Sequence, residues 1–214
     1  LHFLCQKQRR VAGQDRQARL IRGAGFRADP RQLGQARPVL VLQHHHLRVP
    51  PRDPQDAFDR RHCGAVIESH IVEKGMDLLG WRDVPINLDY VGKQARSSMP
   101  AMRQLFMGHR RLENYDQEKF ERKLYITRKA IRTSLQDVDG FIIASMSSRT
   151  IVYKGMLIPH QMKHFFPDLS DSRMQSALAL VHTRFPTNTF PRWDLVQPFR
   201  NLAHNGEINT LRGN

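Results

Sequence analysis

Cysteine is nearly absent from this 214-residue sequence, which holds only Cys5 and Cys63. Two thiols make no disulfide framework and no zinc-ligand spacing. The default compartment is therefore a reducing one, the cytoplasm, or a plastid if the source is photosynthetic. No apolar run approaches the roughly eighteen residues that cross a membrane, and no apolar signal core follows Leu1. Glutamate is absent from residues 1–62, where lysine occurs once. In that stretch twelve Arg and one Lys face five Asp, so more than half of the net charge of +14 lies in less than a third of the chain.

Residues 1–62 also lack periodicity. Apart from Pro38-Val39-Leu40-Val41-Leu42 they offer little to a core and match neither a helix nor a strand template. A basic arm for nucleic acid is one reading of that charge. It is weakened because hardly any aromatic platform, Phe26 among them, interleaves the arginines. His44, His45 and His46 form a tract without an acidic or cysteine partner at ligand spacing, so no metal site is expected. Arginine without lysine, glutamine without glutamate, and abundant proline and histidine are what a GC-rich coding region yields out of frame. Residues 1–62 are read as an atypical Arg-rich segment, out of frame or disordered, and residues 63–214 as a partial domain.

From Cys63 the pattern is that of an ordinary globular chain. Val66, Ile67, His70 and Ile71 form one helical stripe that Gly75 closes. Leu78 to Pro85 reads as a strand, Trp81 as core, and Met102 to Met107 as a further short strand. Phe120, Leu124, Ile131 and Leu135 carry a helix over 116–136, with Glu118 and Glu121 on its solvated side. Phe141 to Met146 and Thr150 to Gly155, joined by Ser147-Ser148-Arg149, predict a β-hairpin. Leu157 to Phe166 predicts a helical turn stopped by Pro167, with Phe165 and Phe166 as packing residues. Helices mixed with strands that are close in sequence indicate an α+β fold with an antiparallel component. There is no internal repeat and no glycine-rich phosphate loop.

The chemistry concentrates in residues 181–214. The apolar approach Ala177 to Val181 delivers His182, Thr183 and Arg184 to the end of a strand, where loops meet substrates. Pro186, Pro191 and Pro198 forbid a long helix after it. The second segment turns at His204-Asn205-Gly206, a strong tight-turn signal. A guanidinium grips a carboxylate bidentately, and a side-chain amide beside a glycine N–H offers two donors to a developing oxyanion.

The run HTRFPTNTFPRWDLVQPFRNLAHNGEINT resembles the glutamine site of the class II glutamine amidotransferase domain of glutamate synthases, whose large chain carries that domain at its N-terminus. LGWRDVP and the ERKLY helix resemble the same domain, and the likeness extends over residues 63–214. It implies a layered α/β/β/α sandwich of the N-terminal-nucleophile hydrolase kind, incomplete in a chain read as a fragment. It also implies that Arg184 binds the substrate α-carboxylate. Asn205 and Gly206 would form the oxyanion hole, His204 would shape the turn, and Thr187, Asn188 and Thr189 would order the loop. Pro186 departs from the serine usual in the family.

The reaction implied is hydrolysis of glutamine, with ammonia passed to 2-oxoglutarate. FMN and an iron–sulfur cluster would be held by regions outside this fragment. The electron donor would be a reduced pyridine nucleotide, delivered with a small subunit, or ferredoxin; no nucleic acid or membrane partner is implied.

The family's nucleophile is a cysteine at the mature N-terminus. Here Leu1 stands first, Cys5 lacks the expected context, and Cys63 opens a helix and is read as core. The acidic residue that completes glutamine binding would lie beyond Asn214. The chain as given is therefore expected to be inactive. The competing readings are another class II amidotransferase, acting on a sugar phosphate or nucleotide precursor, and a basic nucleic-acid-binding protein.

Overall fold

The computed structural model describes residues 3–8, 39–40, 44–48, 54–109, 116–172, 174, 176–182 and 192–193; for residues 3–8, 39–40, 44–48, 54–58, 109 and 182 it describes the backbone alone. Spacing by four puts Cys63, Ile67 and Ile71 on one face of helix α1 (Pro54–Glu73), where all three are fully buried. The helix ends as the stripe predicts. Gly75 has φ 65° and donates its N–H to the Val72 carbonyl at 2.9 Å, a left-handed stop that glycine adopts without a Cβ clash. Proline is tolerated in a first helical turn, whose N–H groups have no intrahelical acceptor. Helix α1 accordingly starts at Pro54 and runs straight through residues 62 and 63, where the motifs placed a boundary.

Strand β4 (Met76–Asp83) pairs antiparallel with β5 (Pro100–His109), which is longer than the predicted 102–107. Strand β5 is buried on both faces. Leu105 and Met107 join the core under α1, while Met102 and Phe106 join a second core on the opposite side of the sheet. In β4 the register shifts between Leu78 and Gly80, with Gly80 at φ 136°, a region that L side chains rarely adopt. That bulge changes the phase of the strand. Met76 and Leu78 face the α1 core, Leu79 turns to the second core, and Trp81 comes back to the first. The next residue, Arg82, is thereby turned toward the second core, where its guanidinium lies 5.9 Å from the Phe106 ring.

Asp116 caps helix α3 (Gln117–Ser134) by accepting from the N–H groups of Glu118 and Lys119. Phe120, Leu124 and Ile131 are buried against α1 and the sheet, as their spacing dictates, and Leu135 follows at the C-cap. Glu121, expected on the solvated side, is instead 4% exposed.

The predicted hairpin does not form. Strand β6 (Ile142–Ile143) pairs with β3 (His44–Arg48), while β7 (Thr150–Gly155) pairs with β1 (Phe3–Gln8) in a different sheet. The cause is Glu121. Its carboxylate accepts from the Ser147 hydroxyl at 3.0 Å and from the Ser148 N–H and hydroxyl, both at 2.5 Å. Ser147 Oγ in turn accepts from the N–H groups of Arg149 and Thr150. The turn is thus tied to α3 rather than closed on its own strands.

All strand pairings described are antiparallel. One sheet has the order β7-β1-β8, with β8 at Leu178–His182. The other runs β2-β5-β3-β6, with β2 at Val39–Leu40 and β4 beside β5. One core lies between α1, α3 and the β5 sheet. The second joins that sheet to Ile151 and Tyr153 of β7 and to Phe165 and Phe166 of helix α4 (Met162–Phe165) and its cap. A mixed α and β architecture is therefore observed, as the sequence predicts. Parts of residues 1–62 take part in it through β1, β2, β3 and the first half of α1. No helix among the described residues is long and apolar enough to cross a membrane.

Candidate functional site

Strand β8 is formed where the apolar approach predicts, and it pairs with β1 from Leu4↔His182 to Gln8↔Leu178. It ends at His182, two residues before Arg184. Its apolar side chains are not all core, since Leu178 and Val181 are exposed. Arg184, His204, Asn205 and Gly206 lie outside the described residues, as do Pro186, Thr187, Asn188 and Thr189.

The next described point of the motif is Trp193. Its indole is buried; Nε1 donates to the Ala95 carbonyl of α2 (Lys93–Ser97) at 2.9 Å, and the ring centroid lies 6.2 Å from that of Phe165. Gly155, at the end of β7, lines the same slot. A Cβ there would meet Trp193 Cζ3 at 3.1 Å and Leu157 at 3.0 Å. The described backbone thus ends at His182 of β8 and is described again at the buried Trp193, with Arg184 in the interval between them. The sequence reading used this tryptophan only as a family marker. Its anchoring role depends on Gly155, which precedes it by 38 positions and could not be paired with it by spacing.

Beneath this region lies a buried polar group that the sequence reading also missed. Arg82 donates Nη2 to Asp168 Oδ2 at 2.5 Å and Nη1 to Oδ1 at 3.3 Å, and its Nε donates to Gln104 Oε1 at 2.6 Å. The Tyr153 hydroxyl donates to Asp168 Oδ2 at 2.7 Å. Burial, reinforced by the Asp168 carboxylate, holds the Tyr153 phenol well above its usual range. The four residues join β4 and β5 of one sheet to β7 of the other and to the 3₁₀ turn Pro167–Ser170. An arginine inside an apolar strand was the available signal.

Trp81, expected in the core, is half-buried at its edge. Its Nε1 donates to Glu68 at 2.6 Å and Arg103 lies over its ring at 4.6 Å. Cys63 is fully buried, and burial, helped by the Asp59 charge, pushes its thiol up to about 11. A thiol so held is not a nucleophile at neutral pH. Among the described residues no group of three His, Cys, Asp or Glu could hold a metal ion.

The strand leading to a candidate guanidinium and the aromatic anchor behind it belong to a class already known. The chain belongs to the class II glutamine amidotransferases, whose sequence profile matches residues 52–214. The match opens two residues ahead of α1 and eleven ahead of Cys63. Within that class, the chain is 43% identical over 166 residues to the glutamate synthase [NADPH] large chain of Azospirillum brasilense, covering 77% of this chain and 11% of that one. It is 48% identical over 161 residues to the protein of that name from Bacillus subtilis (strain 168), covering 75% and 10%. It is 43% identical over 164 residues to the chloroplastic ferredoxin-dependent glutamate synthase of Oryza sativa subsp. japonica, covering 75% and 10%. The chain thus spans about a tenth of the length of these relatives.

Proposed function

We propose that this chain is part of the glutamine-hydrolysing domain of a glutamate synthase, a domain that releases ammonia from the side-chain amide of glutamine for transfer to 2-oxoglutarate, and that this chain supplies the residues that hold glutamine and not the nucleophile. The observation that carries the reading is the family match over residues 52–214, which includes the whole Arg184 to Gly206 motif. Arg184 holds the α-carboxylate of glutamine through a bidentate pair. The Asn205 amide and the Gly206 N–H donate to the oxygen that becomes charged as the amide is attacked, and His204 shapes that turn. The fold proposed is a layered α/β/β/α sandwich, a reading supported by the packing of α1 and α3 on one face of the β5 sheet. Residues 1–51 stand outside the amidotransferase match.

The iron–sulfur cluster of such an enzyme does not fit this chain. Iron–sulfur clusters are held by several thiolates, and of two cysteines one is sealed in the α1 core. The protein works in the cytoplasm or a plastid. Its electron donor is reduced pyridine nucleotide, through a small subunit, or ferredoxin, as the names of the NADPH and ferredoxin-dependent relatives suggest. Glutamine titrated calorimetrically into the protein carrying this chain tests the reading. A single saturable site that Arg184→Ala abolishes is expected, and binding unaffected by that substitution overturns it.

A further inference from the structure

We propose that the outer face of α3 is a docking surface for an acidic protein face, supplied by the same polypeptide from outside residues 1–214. The inference rests on the reading that this chain is part of a longer glutamate synthase, and it concerns a surface that the glutamine chemistry leaves unused.

Burial of Phe120, Leu124, Thr127 and Ile131 turns the opposite side of α3 outward. That side presents Arg122, Tyr125, Ile126, Lys129 and Arg132, all exposed and spaced by three, four and seven, so they share one face. A solvated face needs only polar residues. Here two large apolar side chains lie next to each other on it, Tyr125 at 51% and Ile126 at 58% exposure. Lys129 Nζ sits 5.5 Å from the centre of the Tyr125 ring. Glu118, at the N-terminal end of the helix, is already engaged by the Arg149 guanidinium. Among the described residues no carboxylate pairs with Arg122 or Arg132. An apolar pair ringed by cations that lack counter-charges is complementary to a recess ringed by carboxylates, and tyrosine and arginine are the side chains that anchor such contacts.

The same features select the occupant. A second copy docked face to face would set these cations against themselves, on a chain whose net charge is already +14. Single-stranded nucleic acid would need further stacking platforms where Ile126 stands. The relatives align with this chain over only 10–11% of their length, so about nine-tenths of such a polypeptide lies elsewhere. With 18 residues, α3 is about 27 Å long. That length and the mixed polar and apolar surface suit an interface between domains of one chain, which covers about 600–1,500 Å² and is more polar than an obligate one.

The test uses the whole protein carrying this chain, as an equal mixture of isotopically light and heavy copies. A zero-length carbodiimide joins a lysine amine to a carboxylate in contact with it. Lys129 is expected to couple to an Asp or Glu outside residues 1–214, in light–light and heavy–heavy peptide pairs only. Hydroxyl-radical footprinting is expected to find Tyr125 protected. Arg122→Glu with Arg132→Glu places like charges across the contact, so the cross-link yield should fall about tenfold and Tyr125 oxidation should rise. Arg122→Lys with Arg132→Lys should retain both signals. Neither pair touches the buried side of α3, and circular dichroism is to confirm that both variants are folded.

Light–heavy pairs, a cross-link to a separate protein, or Tyr125 protection that nuclease treatment removes each overturn the inference, because a second copy, another subunit or nucleic acid then covers the face. Tyr125 oxidised equally in the native and charge-reversed proteins overturns it as well. Arg184-dependent glutamine binding by a protein with a freely oxidised Tyr125 sinks this inference alone. The intramolecular cross-link in a protein that binds no glutamine sinks the glutamine reading alone.

Discussion

Asp168 accepts from both Arg82 and Tyr153 in a setting where Arg82 and Asp168 side chains are only 7% and 11% exposed. Such a pair gains little over a well-packed apolar substitute, because desolvation offsets most of the attraction; breaking one half is far worse. Asp168→Asn leaves the Arg82 charge without its counter-ion and is expected to cost about 3–5 kcal/mol in urea unfolding. Replacing both residues together, Arg82→Met with Asp168→Leu, should recover most of that loss. A double variant no better than Asp168→Asn would show that the group stabilises through its hydrogen bonds rather than through charge neutralisation.

Cys63 is the second residue with a checkable signature. Its thiol has an ordinary value of 9.0 and is pushed up to about 11 in the fold. The folded value is the raised one, so this contribution is intact below pH 9. Between pH 9 and about 11 the unfolded chain has released the proton and the folded chain has not. Stability should then fall by about 1.4 kcal/mol per pH unit from this group. Unfolding measured across that window should show the fall, and Cys63→Ala should remove that share of it.

Among the elements, periodic ones were legible and joints were not. Helices α1 and α3 and strands β4, β5 and β8 follow from spacing, because burial of one face imposes the period on the sequence. The 141–155 hairpin failed because turn chemistry at Ser147-Ser148-Arg149 is satisfied from α3, twenty-six residues earlier at Glu121. A strand pattern says nothing about which strand is its neighbour. The joint makes its own prediction. Removing the Glu121 carboxylate as Glu121→Ala orphans the donors of Ser147 and Ser148, so a loss of about 2–3 kcal/mol is expected. Amide exchange at Ser148 should speed up with it, whereas unchanged exchange there would mean that the turn holds without α3.

For the molecule as a whole, the family was legible in the motif and the buried groups packed around Trp193 were not. The run from His182 to Gly206 carries the resemblance to the class II amidotransferases, whereas an arginine after a strand and an Asn-Gly corner alone would not single out a function. The Gly155–Trp193 slot and the Arg82–Asp168 group come from sequence-distant residues that only folding brings together. The class assignment rests on the match over residues 52–214.

Its sharpest consequence concerns Asn205. In steady-state assays of ammonia release from glutamine by the protein carrying this chain, Asn205→Ala should lower kcat by about 10²–10³ while KM changes little, because under the proposed assignment its donor acts on the oxyanion and not on the bound amide. Ammonia release at the same kcat in that variant would contradict the account.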